Sequence, residues 1–189
     1  MTAVSSFSSD RPLRVVCAVP HALDTSPSQR YRWEQWAPGL SQEGVRLDFL
    51  PFGSLQIDAD MRAGRTARAS ALSLARYAPW LVELRRAREA DVLVIPRKAA
   101  PAGPPAIEEW AARGRAKFVY DFDDAIFMEP EGARGRIRAF LDPASRCERL
   151  CRAADLVVAG NHYLAEWARP RSRNVIVIPT TVNTDQHVP

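Results

Sequence analysis

Three carboxylates stand within four residues at Asp121, Asp123 and Asp124, in the stretch KFVYDFDDAIF that runs from Lys117 to Phe127. Phe118, Val119 and Tyr120 just before them are β-branched or aromatic, the composition of a buried strand. The acids therefore fall at a strand's carboxyl end, the edge of an open α/β sheet where ligands bind. Carboxylates crowded there repel one another unless they grip something. Three chemistries fit the spacing. Two carboxylates one residue apart can hold a divalent ion, or supply a nucleophile and an acid as in aspartyl phosphatases. Alternatively, one can anchor an arginine and cap the next helix.

The elements that must position these acids alternate along the chain. Apolar runs predict strands over 13–19, 45–50, 92–95, 118–120, 156–159 and 175–178. Helical character fills 28–43, closed by Gly44, and 62–90, where Pro79 should break or kink the helix. Further helices are expected over 105–113, 143–153 and 163–168, with a looser region at 129–135. Strand–helix alternation of this kind means parallel strands with right-handed crossovers. The expectation is an α/β, Rossmann-like, doubly wound domain over 13–181, with a mostly parallel sheet of about six strands and helices on both faces. Residues 1–12, Ser-rich and without a hydrophobic signal core, read as a flexible lead-in. Residues 182–189 read as the start of an interdomain linker.

Polar residues gather just past the predicted strands. Pro20, His21 and the loop SPSQRYRWEQW follow the first, and Pro96, Arg97 and Lys98 the third. Gly160, Asn161 and His162 follow the fifth, and Pro179, Thr180 and Thr181 the sixth. A domain built only to fold would not need this convergence. The first loop lacks GxGxxG, and Arg30 and Arg32 are placed to meet a phosphate or carboxylate. Trp33 and Trp36 are expected to pack inward, and Asn161 to cap the helix after it. The arginines of 62–88 lie against an Ala/Leu face, either as a solvated outer face or as a surface for an anionic membrane.

Composition narrows the classes. The chain has 189 residues, 47% of them hydrophobic, and a formal net charge of +4 carried almost wholly by Arg. Basicity so mild and dispersed argues against nucleic acid as a partner. Cys17 reads as core, and Cys147 and Cys151 as two thiols on one helix face without the geometry for a disulfide. No metal site is visible in the cysteine spacing. No apolar run approaches the roughly 20 residues of a membrane span. A cytoplasmic location is expected, with peripheral contact at the inner membrane face as an extension of the basic helix.

SQRYR at 28–32, IPRK at 95–98, YDFDDAIF at 120–127, AGNHYLAEWA at 159–168 and VIVIPTTVNTDQHVP at 175–189 together resemble the N-terminal half of family 4 glycosyltransferases of the GT-B fold. The resemblance implies two Rossmann-like domains facing each other across a cleft, with the acceptor on the N-terminal one. The nucleotide-diphosphate sugar would sit on a C-terminal donor-binding domain, and transfer would retain anomeric configuration without a cofactor or essential metal. Taken with the convergence at the strand ends, it makes Asp123 and Asp124 the expected catalytic residues, and Ser28, Arg30, Arg32, Arg97, Asp121, Asn161 and His162 the expected substrate-binding ones. The acceptor would be a glycan, glycolipid or small molecule, and this half alone would be inactive. Many members carry a His after the fourth strand, where this chain has Asp123 and Asp124. Two alternatives stand beside this reading: a haloacid-dehalogenase-like phosphatase using Asp121 and Asp123, and a non-catalytic binding domain.

Overall fold

Short runs of β-branched, aliphatic and aromatic residues, each stopped by a Pro, a Gly or a polar turn, make the strands of the sheet. The computed structural model describes residues 11–101, 104–128 and 143–183. The expected loop at 129–135, the lead-in at 1–10 and the end of the expected linker at 184–189 lie outside them. The strands are β1 (Leu13–Val19), β2 (Val45–Pro51), β3 (Val92–Pro96), β4 (Lys117–Phe122), β5 (Leu156–Ala159) and β6 (Val175–Val177). They form one sheet in the order β2-β1-β3-β4-β5-β6, with every pairing parallel. The chain is a Rossmann-like, doubly wound α/β domain.

Handedness distributes the helices. The step from β1 to β2 runs one way along the sheet and every later step runs the other way, so right-handed crossovers place them on opposite faces. α1 (Pro27–Arg32), a single 3₁₀ turn (Glu34–Trp36) and α2 (Ala37–Gln42) cover the first face. There Val15, Cys17, Val19 and Val94 form a small core against which Trp33 packs. The second face is covered by α3 (Leu55–Arg62), α4 (Thr66–Ala87), α5 (Ala106–Ala112), α6 (Pro143–Ala153) and α7 (His162–Ala168). Its larger core includes Trp80, Leu84, Phe118, Tyr120, Phe122, Cys147 and Cys151. Strand alternation splits β4 between the two: Phe118, Tyr120 and Phe122 go to the large core, and Val119 to the small one.

Several expected boundaries change. The single helix expected over 28–43 is three pieces, because Trp33 leaves helical geometry at φ −131° and Pro38 opens a new helix. Trp33 packs inward as expected, whereas Trp36 is exposed. The helix expected over 62–90 is interrupted not at Pro79 but at Ala63–Arg65, where Gly64 takes φ +71°. α3 precedes that turn and had not been anticipated. α4 runs through Pro79 unbroken. Pro79 lies on the exposed side, where the Ala75 carbonyl it leaves without an N–H can be hydrated. The fourth strand extends to Phe122, so Asp121 is inside the strand rather than beyond it. The cysteines are free and buried, with Cys17 in the core as expected.

At the opposite end of the sheet from the acids, Asp91 ties the start of β3 to its neighbours. Its carboxylate accepts both terminal nitrogens of Arg11 at 2.7 Å and the Arg14 N–H at 2.8 Å. These bonds hold the carboxyl well down, at about 2 against an ordinary 3.8. Because the folded value is the lower one, the stability from this hub is complete above the ordinary value and is lost as pH falls through about 2. Urea unfolding of the native chain and of Asp91→Asn should therefore differ most near about pH 5 and converge as the pH approaches about 2. A difference that does not change over that range would remove Asp91 from the acid response.

Candidate functional site

The strand order reverses beside β1, so the carboxyl ends of β1 and β3 diverge and leave a crevice between them. A cavity of about 160 Å³ occupies it, lined by Pro20, His21, Ser26, Ser28, Gln29, Arg32, Pro96, Arg97, Lys98, Asp121 and Asp123. This is below the roughly 300–1,000 Å³ of pockets for drug-sized ligands. It suits one small polar group of a substrate.

The back of the cavity is a buried ion pair. Arg32 on α1 grips Asp121 with two parallel bonds, Nε to Oδ2 at 2.9 Å and Nη2 to Oδ1. The Trp33 indole N–H adds a third at 2.8 Å to Oδ2. Both side chains are almost wholly excluded from water, at 5% and 1% exposure. Burial pushes the Asp121 carboxyl up, opposed by Arg32 and Trp33. The remaining nitrogen of the Arg32 fork, Nη1, reaches past the sheet to the Ile178 carbonyl at 3.1 Å and Thr180 Oγ1 at 2.9 Å. Arg32 thus clamps α1, β4 and the segment after β6 together. Of the chemistries open to the acidic cluster, Asp121 takes the anchoring one.

Asp123 stands two residues on, past the end of β4. Ser28 Oγ donates to its Oδ2 at 2.8 Å, while Oδ1 is buried with no hydrogen-bond partner among the described residues. Gly160 fixes its place from the β5 side, since a Cβ there would sit 2.9 Å from the Asp123 Cα. No side chain fits that approach.

The opposite wall comes from the turn after β3. Arg97 adopts φ +57°, a left-handed conformation uncommon for a residue with a Cβ. Two consecutive β4 residues hold it there. The Arg97 N–H donates to the Asp121 carbonyl at 2.7 Å, and the buried Tyr120 hydroxyl donates to the Arg97 carbonyl at 3.1 Å. The Arg97 guanidinium pairs with Asp124 at 2.8 Å, both groups open to solvent. Lys98 beside it donates to the Pro101 carbonyl at 3.3 Å. Burial, and then the positive charges of Arg146 and Arg97, push its ammonium below the ordinary lysine value. Underneath, buried Glu108 accepts the Ala99 N–H at 2.7 Å and two bonds from Arg146 Nη1, which seats the loop on α5 and α6.

The third wall holds a histidine that the sequence had placed only at a strand end. His21 Nδ1 lies 3.1 Å from Asp58 Oδ1. Asp58, on α3, also accepts the Ala22 N–H at 2.9 Å and the Thr25 hydroxyl at 3.4 Å. With Nδ1 turned to this carboxylate, Nε2 is the ring nitrogen left for a ligand. Gln29 braces the loop, donating to the His21 carbonyl and to Glu34 Oε1.

The expected site residues therefore divide. Ser28, Arg32, Arg97, Asp121 and Asp123 come together around the cavity, and Asp124 joins through Arg97. Arg30 turns away to pair with Asp24 at 3.0 Å. Asn161 caps α7, accepting the Leu164 N–H at 3.0 Å, and neither it nor exposed His162 lines the cavity. His21 and Asp58 were missed because their partnership spans 37 residues. Among the described residues no group of His, Cys, Asp and Glu could hold a metal ion. No family model matches the chain, and no curated protein matches it significantly.

Asp121→Asn leaves a buried guanidinium without its counter-charge. The domain should lose about 3–5 kcal/mol of stability, read as a lower urea midpoint. A midpoint shifted by less than about 1 kcal/mol would show that the pair is not what holds α1 to β4.

Proposed function

We propose that this chain is the acceptor-side domain of a glycosyltransferase, which moves a sugar from a nucleotide-diphosphate sugar to an acceptor hydroxyl with retention. One observation carries the reading: Asp123, which lines the cavity at the sheet's crossover, has a buried Oδ1 with no hydrogen-bond partner among the described residues. A buried acceptor without a donor among the described residues calls for a further partner, and a substrate hydroxyl is such a donor. The resemblance of the strand-end motifs to family 4 glycosyltransferases supplies the chemical class. The donor nucleotide falls, on this reading, to a second domain facing the cavity.

Each residue then has a task. Asp123 accepts the acceptor's hydroxyl proton in a hydrogen bond, held in line by Ser28 and by the close approach of Gly160. In the transfer, the acceptor oxygen bonds to the anomeric carbon as the bond to the diphosphate breaks. As that bond breaks, the hydroxyl proton moves from its hydrogen bond with Asp123 onto an oxygen of the departing diphosphate. Arg97 is the cation positioned to meet that negative charge, and Asp124 keeps it extended until then. His21 Nε2 offers a further polar contact to the acceptor. Asp121 and Arg32 contribute by holding the geometry rather than by touching substrate.

The phosphatase alternative fares worse, because Asp121 would have to attack phosphorus with oxygens already committed to Arg32 and Trp33. The native full-length protein should transfer label from a panel of UDP- and GDP-sugars to a lipid or glycan extract. Asp123→Asn, which replaces an acceptor oxygen by a donor, should lower kcat at least tenfold, about 1.4 kcal/mol in the barrier. It should do so with the urea midpoint unchanged. Full turnover in Asp123→Asn would overturn the assignment of Asp123. Magnesium-dependent cleavage of p-nitrophenyl phosphate, lost in Asp121→Asn, would restore the phosphatase.

A further inference from the structure

The outward face of α4 is apolar where a solvated helix carries charge. Ala67, Ala71, Leu74, Ala75, Ala78 and Val82 are all exposed and recur at helical spacing along one side. Leu74 is 76% exposed and Val82 54%. On α3, at the other side of the Gly64 turn, Leu55 and Met61 are exposed as well. Trp80 and Leu84 on the opposite side of α4 are fully buried, so the stripe is not core that has slipped.

Charge surrounds this stripe with one sign. Residues 54–88 contain seven arginines against Asp58, Asp60 and Glu83, so their formal charge of +4 equals that of the entire chain. The acids are withdrawn: Asp58 faces His21, Asp60 is buried beneath Arg65 and Arg68, and Glu83 is held by Arg76. Arg62, Arg85 and Arg86 form no ion pair among the described residues. Arg85 continues the line of the stripe and Arg86 flanks it.

We infer that the α3–α4 hairpin docks the protein on an anionic lipid surface. Leu74 and Val82 would enter the interface, and the arginines would meet the headgroups. A second copy of the chain is disfavoured as the occupant, since it would bring one concentration of positive charge against another. A partner protein would find two branched side chains on a convex floor of alanine and little to grip, whereas a lipid interface needs only that they enter it. Among the described residues no helix is long and apolar enough to cross a membrane, so the contact is peripheral. It does not depend on what the cavity binds.

Co-sedimentation of the full chain with vesicles tests this. The protein should pellet with vesicles of phosphatidylglycerol in phosphatidylcholine and stay in solution with pure phosphatidylcholine. Arg85→Glu with Arg86→Glu should weaken binding at least tenfold, and so should Leu74→Asp, with circular dichroism unchanged. High salt should release the native protein. Three results would overturn the inference: no binding to the anionic vesicles, equal binding to neutral ones, or both variants binding like the native chain. A dimer in light scattering that Leu74→Asp dissolves would also overturn it, by making a second copy the occupant.

Discussion

A guanidinium and a carboxylate buried side by side, Arg32 against Asp121, set the terms for everything around the cavity. Neither ion could sit so far from water alone, because desolvating either costs several kcal/mol. Each therefore fixes the other, and with them the elements that carry them. Asp121 is a residue of β4, an interior strand, so α1 is referred directly to the middle of the sheet. Through Arg32 Nη1 the segment after β6 is referred to the same point. Gln35, three residues further on, repeats the link by donating to the Thr181 carbonyl at 2.7 Å. The helix after β1 and the segment after β6 thus share one anchor.

The acidic cluster divides its labour by strand geometry. Asp121 is inside the strand and turned to its thin face, so it is buried and structural. Asp123 lies past the last ladder bond and keeps one oxygen on Ser28, while the other has no partner among the described residues. Asp124 is out in solvent and reaches only Arg97. Three chemically identical groups, within four residues, take three roles because their distances from the sheet differ. The main chain of β4 adds a fourth part by holding Arg97 in its left-handed turn.

Much of this was open to reading in the sequence. The six strands are short apolar runs between turn residues, alternating with helical stretches, so their number and parallel sense could be anticipated. The site was legible as a place, because the strand order puts the polar loops on one edge. Individual roles were not. Arg30 and Arg32 looked equivalent, yet residues two apart on a helix point to opposite sides, and that spacing alone could have separated them. The partnership of His21 with Asp58 depends on α3, whose mixed sequence carries no strong helical period. Pro79 misled because a proline's cost depends on whether the carbonyl it frees is wet, which is a tertiary fact.

The concentration of charge in the hairpin has a mechanical consequence. With the +4 of residues 54–88 set aside, the rest of the chain sums to zero, so this hairpin carries as much charge as the whole chain nets. A field acting on the molecule exerts a torque as well as a pull. Any anionic object that comes within a Debye length, about 8 Å at physiological ionic strength, turns the domain before it touches it. Approach and orientation become one event, and the face that arrives first is decided in solution.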